Sequence, residues 1–204
     1  MSIALALGIS AAVLHGIAYY LYNRQAKLGQ SLPNIASWGV RMFMATLNAF
    51  SYRAMSGDWV ATLQFFTGSV ACTITFFYVL AIGKFSWPKS KEWRSFGIGL
   101  VAVVVWQTVG NTAGATIANM LGLLAFVISF KPTLDGVRQD PNREKPLAWS
   151  MWTAAFTITV INVLVRHGIS MSLVTPVVLL AAHGSITVLS RESRKEIFGA
   201  RART

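Results

Sequence analysis

The 204-residue chain is 54% apolar and only 12% charged, with a mean hydropathy of +0.53, which excludes an ordinary soluble domain. Its net charge of +11 is scattered through short loops between apolar runs; it forms no single basic face or arm, so a nucleic-acid partner is excluded in favour of the positive-inside bias of a membrane protein. The lone cysteine, Cys72, lies in an apolar run and supports neither a disulfide framework nor a thiolate metal site.

In chain order, seven apolar segments stand near 3–22, 36–53, 59–83, 95–109, 114–130, 148–165 and 171–189, each close to the roughly 17 to 25 residues that cross a bilayer as a helix. The first carries its positive charges, Arg24 and Lys27, after the apolar run and has no clear cleavage site, so it reads as a span and not as a removed signal peptide. The second bears a polar stripe. Trp38, Arg41, Asn48 and Tyr52, with Ala45 between them, fall within an arc of about 80° on a helix. The fourth is the shortest, and the glycine-rich GNTAG at 110–114 supplies a tight reversal into the fifth. Pro176 interrupts the seventh, where a missing backbone donor predicts a kink.

Fifteen of the eighteen Lys and Arg residues fall on one side of this alternation, in the loops after spans 1, 3 and 5 and in the tail. Only Arg53 and Arg166 lie on the other side, and Arg41 lies within a span. This asymmetry predicts an odd number of spans, with the N-terminus outside and the C-terminus in the cytoplasm.

Shifting the chain against itself by 114 residues without a gap pairs Gly8 with Gly122, Arg24 with Arg138, Gln25 with Gln139, Trp38 with Trp152 and Asn48 with Asn162. Apolar matches are cheap in membrane sequences, so the Arg-Gln, Trp and Asn pairs carry the signal. The expectation is an all-α membrane protein of seven transmembrane helices, built as two parallel three-helix bundles joined by a linker helix in a 3+1+3 order. The first bundle would cover 1–83, a cytoplasmic loop and the linker helix 84–113, the second bundle 114–190, and a basic cytoplasmic tail 191–204. Gly8, Ala12 and Gly16 on span 1, with Ala118 and Gly122 on span 5, offer small-residue faces for close packing.

This order of parts resembles the SWEET and PQ-loop superfamily of small membrane transporters, and within it a group of bacterial SWEET-like proteins. The likeness rests on Pro33, Asn34, Ser37 and Trp38 at the start of span 2, Gly57-Asp58-Trp59 before span 3, and Trp106, Gly110 and Asn111 ending span 4. Pro132-Thr133-Leu134 closing span 5, then Trp149 and Trp152 at the start of span 6, continue it to about Val165. The resemblance implies a multi-pass protein of the bacterial inner membrane that facilitates solute movement by alternating access. The chain departs from the family in two ways. The dipeptide is Pro33-Asn34, not Pro-Gln, with Pro146-Leu147 in the second half, and the asparagines lie on the second helix of each half instead of the third. Sugar specificity therefore does not carry over.

Asn48 lies about 18 Å along its helix from the cytoplasmic end, near mid-membrane, and Asn162 is expected at the same depth. Amides there face protein, water or solute, so the pair reads either as a central binding site or as interhelical glue. Trp38 and Trp152 begin the same stripes, as interfacial anchors or as an aromatic inner gate. Arg41, whose counterpart is Ala155, either meets an anionic solute or snorkels to the surface. His183 is matched by Ser69 and His15 by Ser129, as packing residues or polar members of the site. Pro33, Pro146 and Pro176 are candidate hinges, the first two also suiting ordinary helix starts.

The carboxylates Asp58, Glu92, Asp135, Asp140, Glu144, Glu192 and Glu196 all lie outside the apolar segments. No intramembrane acid pair, metal cluster, phosphate loop or nucleophile motif can be assembled from these positions. The chain therefore reads as a non-enzyme without cofactor or metal, a facilitator of a small polar solute, sugars included, acting in the lipid bilayer. The alternatives are a membrane receptor or scaffold and a carrier of aromatic vitamin-like, nucleoside-like or amino-acid solutes. Assembly into homo-oligomers is left open.

Overall fold

A computed structural model describes residues 2–31, 33, 35–82, 87 and 90–201, the stretch 192–201 as helical backbone alone. Asn34, Lys84 and Lys89 lie outside the described residues, as do the side chains of the basic tail beyond Arg191. The described residues form seven α-helices and no strand: α1 Ile3–Lys27, α2 Ile35–Ser56, α3 Trp59–Ala81, α4 Ser90–Val109, α5 Asn111–Gln139, α6 Pro146–His167 and α7 Val174–Arg201.

Local chemistry sets the helix ends. The Ser2 hydroxyl accepts the Leu5 N–H at the start of α1. Asp58 caps α3 by accepting from the N–H groups of Val60 at 2.8 Å and Ala61 at 3.2 Å, as expected of an N-cap carboxylate. Between α4 and α5 only Gly110 intervenes, at φ +65°, followed by Asn111 at φ +41°. Both lie in the left-handed region that glycine and asparagine tolerate best, so GNTAG is the expected tight reversal.

Two sequence expectations change here. Pro176 does not interrupt its helix, because α7 begins at Val174 after a short 3₁₀ turn over Met171–Leu173. It occupies the first helical turn, where no N–H would be bonded anyway. Span 5 does not close at Pro132; α5 continues to Gln139 with Pro132 inside it, which removes the hydrogen bond that position 132 would give to the turn before. Pro146 is the first residue of α6, and buried Pro33 precedes α2.

Five of the helices are long and apolar enough to cross a membrane: α1, α3, α5, α6 and the 171–191 portion of α7. Helix α2 carries Arg41, Asn48 and Arg53 and is less apolar, which leaves it outside that set; its Trp38, Arg41, Ser51 and Tyr52 are all buried. Helix α4 begins with Lys91, Glu92 and Arg94, and Glu92 is buried where Ser37 of α2 donates to it at 3.1 Å.

The helix contacts form a closed circuit. Helix α3 lies between α1 and α2, α7 lies between α5 and α6, and the halves meet where α1 packs on α6 and α2 on α5; α4 lies against α5 and α2. In a bilayer, close approach does the work that water exclusion does elsewhere. A Cβ on Gly8 would stand 2.8 Å from the Val60 carbonyl oxygen, so the backbones of α1 and α3 approach at that point.

The core has two apolar layers. One joins Tyr22, Ile35, Trp38, Val79, Phe130, Trp149, Trp152 and Ile186 at the end carrying the basic loops. The other joins Tyr52, Ala61, Phe65, Leu123, Phe156, Val163 and Leu179 toward the opposite end. The candidate site lies between them.

Candidate functional site

Between the layers is a cavity of about 50 Å³ lined by His15, Tyr19, Asn48, Phe65, Phe156 and His183, among others. A second, of about 30 Å³, lies on the side of the basic loops and is lined by Tyr19, Trp38, Arg41, Cys72, Phe130, Trp149, Trp152 and His183. Tyr19, Ala45, Phe126 and His183 line both. A water needs roughly 10–15 Å³ on this measure, so the two hold a few waters in this conformation.

His15, His183 and Asn48 at the cavity of about 50 Å³ are oriented from behind. The Nδ1 of His183 lies 2.7 Å from the Leu179 carbonyl oxygen; a carbonyl only accepts, so this nitrogen carries the proton, and in the neutral ring Nε2 is an acceptor. Gln64 accepts from the Thr159 hydroxyl, which leaves its amide nitrogen to donate to Nδ1 of His15 at 2.8 Å. In neutral His15 the Nε2 is then the donor. The two histidines thus present opposite hydrogen-bonding character, one donor and one acceptor. Gly68 makes room for this, since a Cβ there would lie 2.8 Å from Nε2 of His15.

Asn48 is held by a residue that the repeat did not reveal. The side-chain nitrogen of Asn119, on α5, donates to Oδ1 of Asn48 at 2.6 Å and to the Ser51 hydroxyl at 3.1 Å. Its own oxygen accepts from Thr175 of α7 at 2.6 Å. Asn119 is fully buried and ties α2, α5 and α7 together. Asn162, expected opposite Asn48, does not line either cavity. It is buried against α1 near Gly8, and its Oδ1 has no hydrogen-bond partner among the described residues. The position 114 residues before Asn119 is Leu5, on α1, so Asn162 has no counterpart of the amide that orients Asn48. Ser69 also lies away from the cavities, hydrogen-bonded to Thr46 at 2.9 Å.

Trp38 and Trp152 converge as the repeat implies. Tyr19 and Tyr22 of α1 fill the space between them, with ring centroids of Tyr22 at 5.0 Å from Trp38 and 5.7 Å from Trp152, and Tyr19 at 5.0 Å from Trp152. Trp149 joins at 4.9 Å from Trp152 and donates its ring N–H to Glu144 at 3.2 Å. Arg41 does not snorkel to the surface. It is 6% exposed, donates to the Thr133 hydroxyl of α5 at 2.6 Å, and lies 5.3 Å from the Trp38 ring and 5.2 Å from that of Phe130, within cation–π range.

The opposite end is closed by polar contacts between the halves. The Tyr52 hydroxyl donates to the Ser172 carbonyl at 2.9 Å. Asp58 accepts from the Arg166 guanidinium and lies 2.8 Å from Nε2 of His167, both at the end of α6. Burial alone would raise Asp58, but the donors from Arg166, the Ala61 N–H and His167 outweigh it and hold the carboxyl below the usual carboxylate range. At the other end burial dominates and pushes Glu144 above its ordinary value, offset only in part by the Trp149 N–H and the charges of Arg41 and Arg143.

No protein-family model, curated protein or solved structure matches the chain.

Proposed function

We propose that the chain is a seven-span membrane facilitator of SWEET-like architecture, in which two parallel three-helix halves, α1–α3 and α5–α7, rock about the cavity at Asn48 and admit a small polar solute from one side at a time. The observation that carries this reading is a mostly apolar pocket bearing His15, Asn48 and His183, closed at both ends by contacts of different kinds. Tyr19, Tyr22, Trp38, Trp149 and Trp152 close one end, and Asp58 with Arg166 and His167 closes the other. Rings that slide and an ion pair that parts are both reversible, which suits two discrete arrangements.

The remaining parts have roles in that cycle. His15, His183 and Asn48 hold the solute by hydrogen bonds whose direction is set from behind. The loop basicity supports an orientation with the N-terminus outside, and the SWEET-like resemblance supports the bacterial inner membrane. Pro33 and Pro146 take up bending at the helix starts, joined by Pro132 within α5; Pro176, in a first turn, is not needed as a hinge.

The test is uptake by the full chain in proteoliposomes across a panel of small solutes. Asn48→Ala should lower the rate for each accepted solute by about tenfold, the loss expected for one or two buried hydrogen bonds, whereas Asn162→Ala should not. An Asn48→Ala protein that transports every accepted solute at the wild-type rate contradicts the assignment. A receptor or scaffold would accumulate none of them.

A further inference from the structure

We propose that the cavity beside Arg41 and Trp152 is the seat of an anionic oxygen group, so that the solute is a small organic monoanion with a carboxylate and not a neutral sugar. The inference rests on the transport reading above and names the class of solute for that site.

Two observations on different helices converge on this cavity. Among the described residues Nε of Arg41, on α2, is buried without a hydrogen-bond partner, and so is Nε1 of Trp152, on α6. Both side chains line the same space of about 30 Å³, and both groups can only donate. Orphaned buried donors are rare and costly. Two of them on side chains that line one space ask for an acceptor with more than one lone pair.

Charge narrows the class. An arginine guanidinium carries a full charge in proteins, and among the described residues no carboxylate lies within ion-pairing distance of Arg41. Glu144 is near enough to feel its field, but it accepts instead from Trp149. Thr133 takes one guanidinium N–H, and the Trp38 and Phe130 rings take part of the charge. A buried cation whose one hydrogen-bonding partner among the described residues is a neutral hydroxyl is only partly compensated. A carboxylate placed between Arg41 and Trp152 satisfies both donors and neutralises the charge, while the rest of the solute reaches Asn48, His15 and His183 in the adjoining cavity. A neutral polyol would satisfy the donors but leave the cation.

The experiment uses the full chain in lipid nanodiscs and three acid–amide pairs of nearly equal shape: lactate and lactamide, benzoate and benzamide, nicotinate and nicotinamide. Binding is read from the shift in melting temperature and from quenching of tryptophan fluorescence. At least one acid should bind the wild-type protein, with its amide about ten- to hundredfold weaker, the range for losing a charged hydrogen-bond partner. Arg41→Gln should abolish the acid preference. Trp152→Phe, which keeps the ring and removes the donor, should weaken the acid severalfold, and it serves as the second variant if Arg41→Gln does not fold. Amides binding as well as acids, no acid binding, or acid affinity unchanged in both variants overturns the proposal. Acids that bind in an Arg41-dependent way but never accumulate in proteoliposomes uphold this site and overturn the transport reading. Uptake of neutral solutes that Arg41→Gln leaves intact does the reverse.

Discussion

Asn119 and Asn162 look alike in sequence, each an amide within a membrane-length apolar run, yet their environments predict opposite responses to truncation. Asn119 makes three hydrogen bonds, to Asn48, Ser51 and Thr175, two of them at 2.6 Å. At about 0.6 kcal/mol for an average side-chain hydrogen bond in a membrane, three give about 2 kcal/mol, with a ceiling near 5 kcal/mol if each reached the largest measured values. Asn119→Ala should therefore shift the folding equilibrium by about thirtyfold and free Asn48 to turn. Asn162 is equally buried, but its Oδ1 has no partner among the described residues, so it already bears the desolvation cost that a hydrogen bond would offset. Asn162→Ala should cost less than about 1 kcal/mol and is able to raise stability. Reversible unfolding of the two variants in mixed micelles, with circular dichroism as the readout, gives both numbers. Equal losses at the two positions, or a loss at Asn119 under about 0.5 kcal/mol, would refute the asymmetry.

Asp58→Asn keeps a capping oxygen for α3 but removes the charge that holds Arg166 and His167. Because those partners are 32% and 28% exposed, solvent screening reduces the effect to about 1–2 kcal/mol. That should move the conformational balance five- to thirtyfold, by the usual conversion of free energy to populations, toward opening at that end, measured as faster thiol labelling of a cysteine placed at Ala45. Since the Asp58 carboxyl is held below its ordinary value, its contribution is present above the unfolded carboxylate range and is lost only as pH falls through the lowered value. Labelling of the wild type should accordingly be flat from about pH 5 to pH 8 as far as Asp58 is concerned. Glu144 has the opposite sign. Burial raises it, the folded state holds its proton more tightly, and its contribution fades as pH rises through the raised value. Melting temperature should fall as pH rises from about 4 toward neutrality, and Glu144→Gln should flatten that slope. Gly8→Ala places a Cβ against the Val60 backbone oxygen, which cannot yield; α1 and α3 should separate at a cost of about 1–3 kcal/mol, seen as a lower unfolding midpoint.

The helices were legible from apolar run length, and the tight reversal at Gly110-Asn111 from residues that tolerate positive φ. Trp38, Arg41 and Asn48 were legible as a stripe because 3.6-residue periodicity places them on one face. What the residues could not reveal was which neighbour each polar group meets. Asn119 was hidden because the repeat aligns it with Leu5, and Gln64 because the repeat aligns it with Val178. An amide inside an apolar run was the available signal for both. The same repeat overstated Asn162, since equivalence in register does not supply an equivalent partner. Pro132 and Pro176 were misplaced for a related reason: hydropathy marks where lipid-compatible residues end, whereas the helix ends where caps and backbone bonds end it, as at Gln139 and Val174.

The central claim, that the cavity opens to each side in turn, is tested most directly by accessibility at Ala45, which lines both cavities. In a Cys72→Ser background, Ala45→Cys would be exposed to a membrane-impermeant maleimide applied to right-side-out and to inverted vesicles in separate experiments. The account predicts labelling from both sides, with Asp58→Asn accelerating one direction and slowing the other. Labelling from one side only, or from neither, with no response to Asp58→Asn, would contradict it.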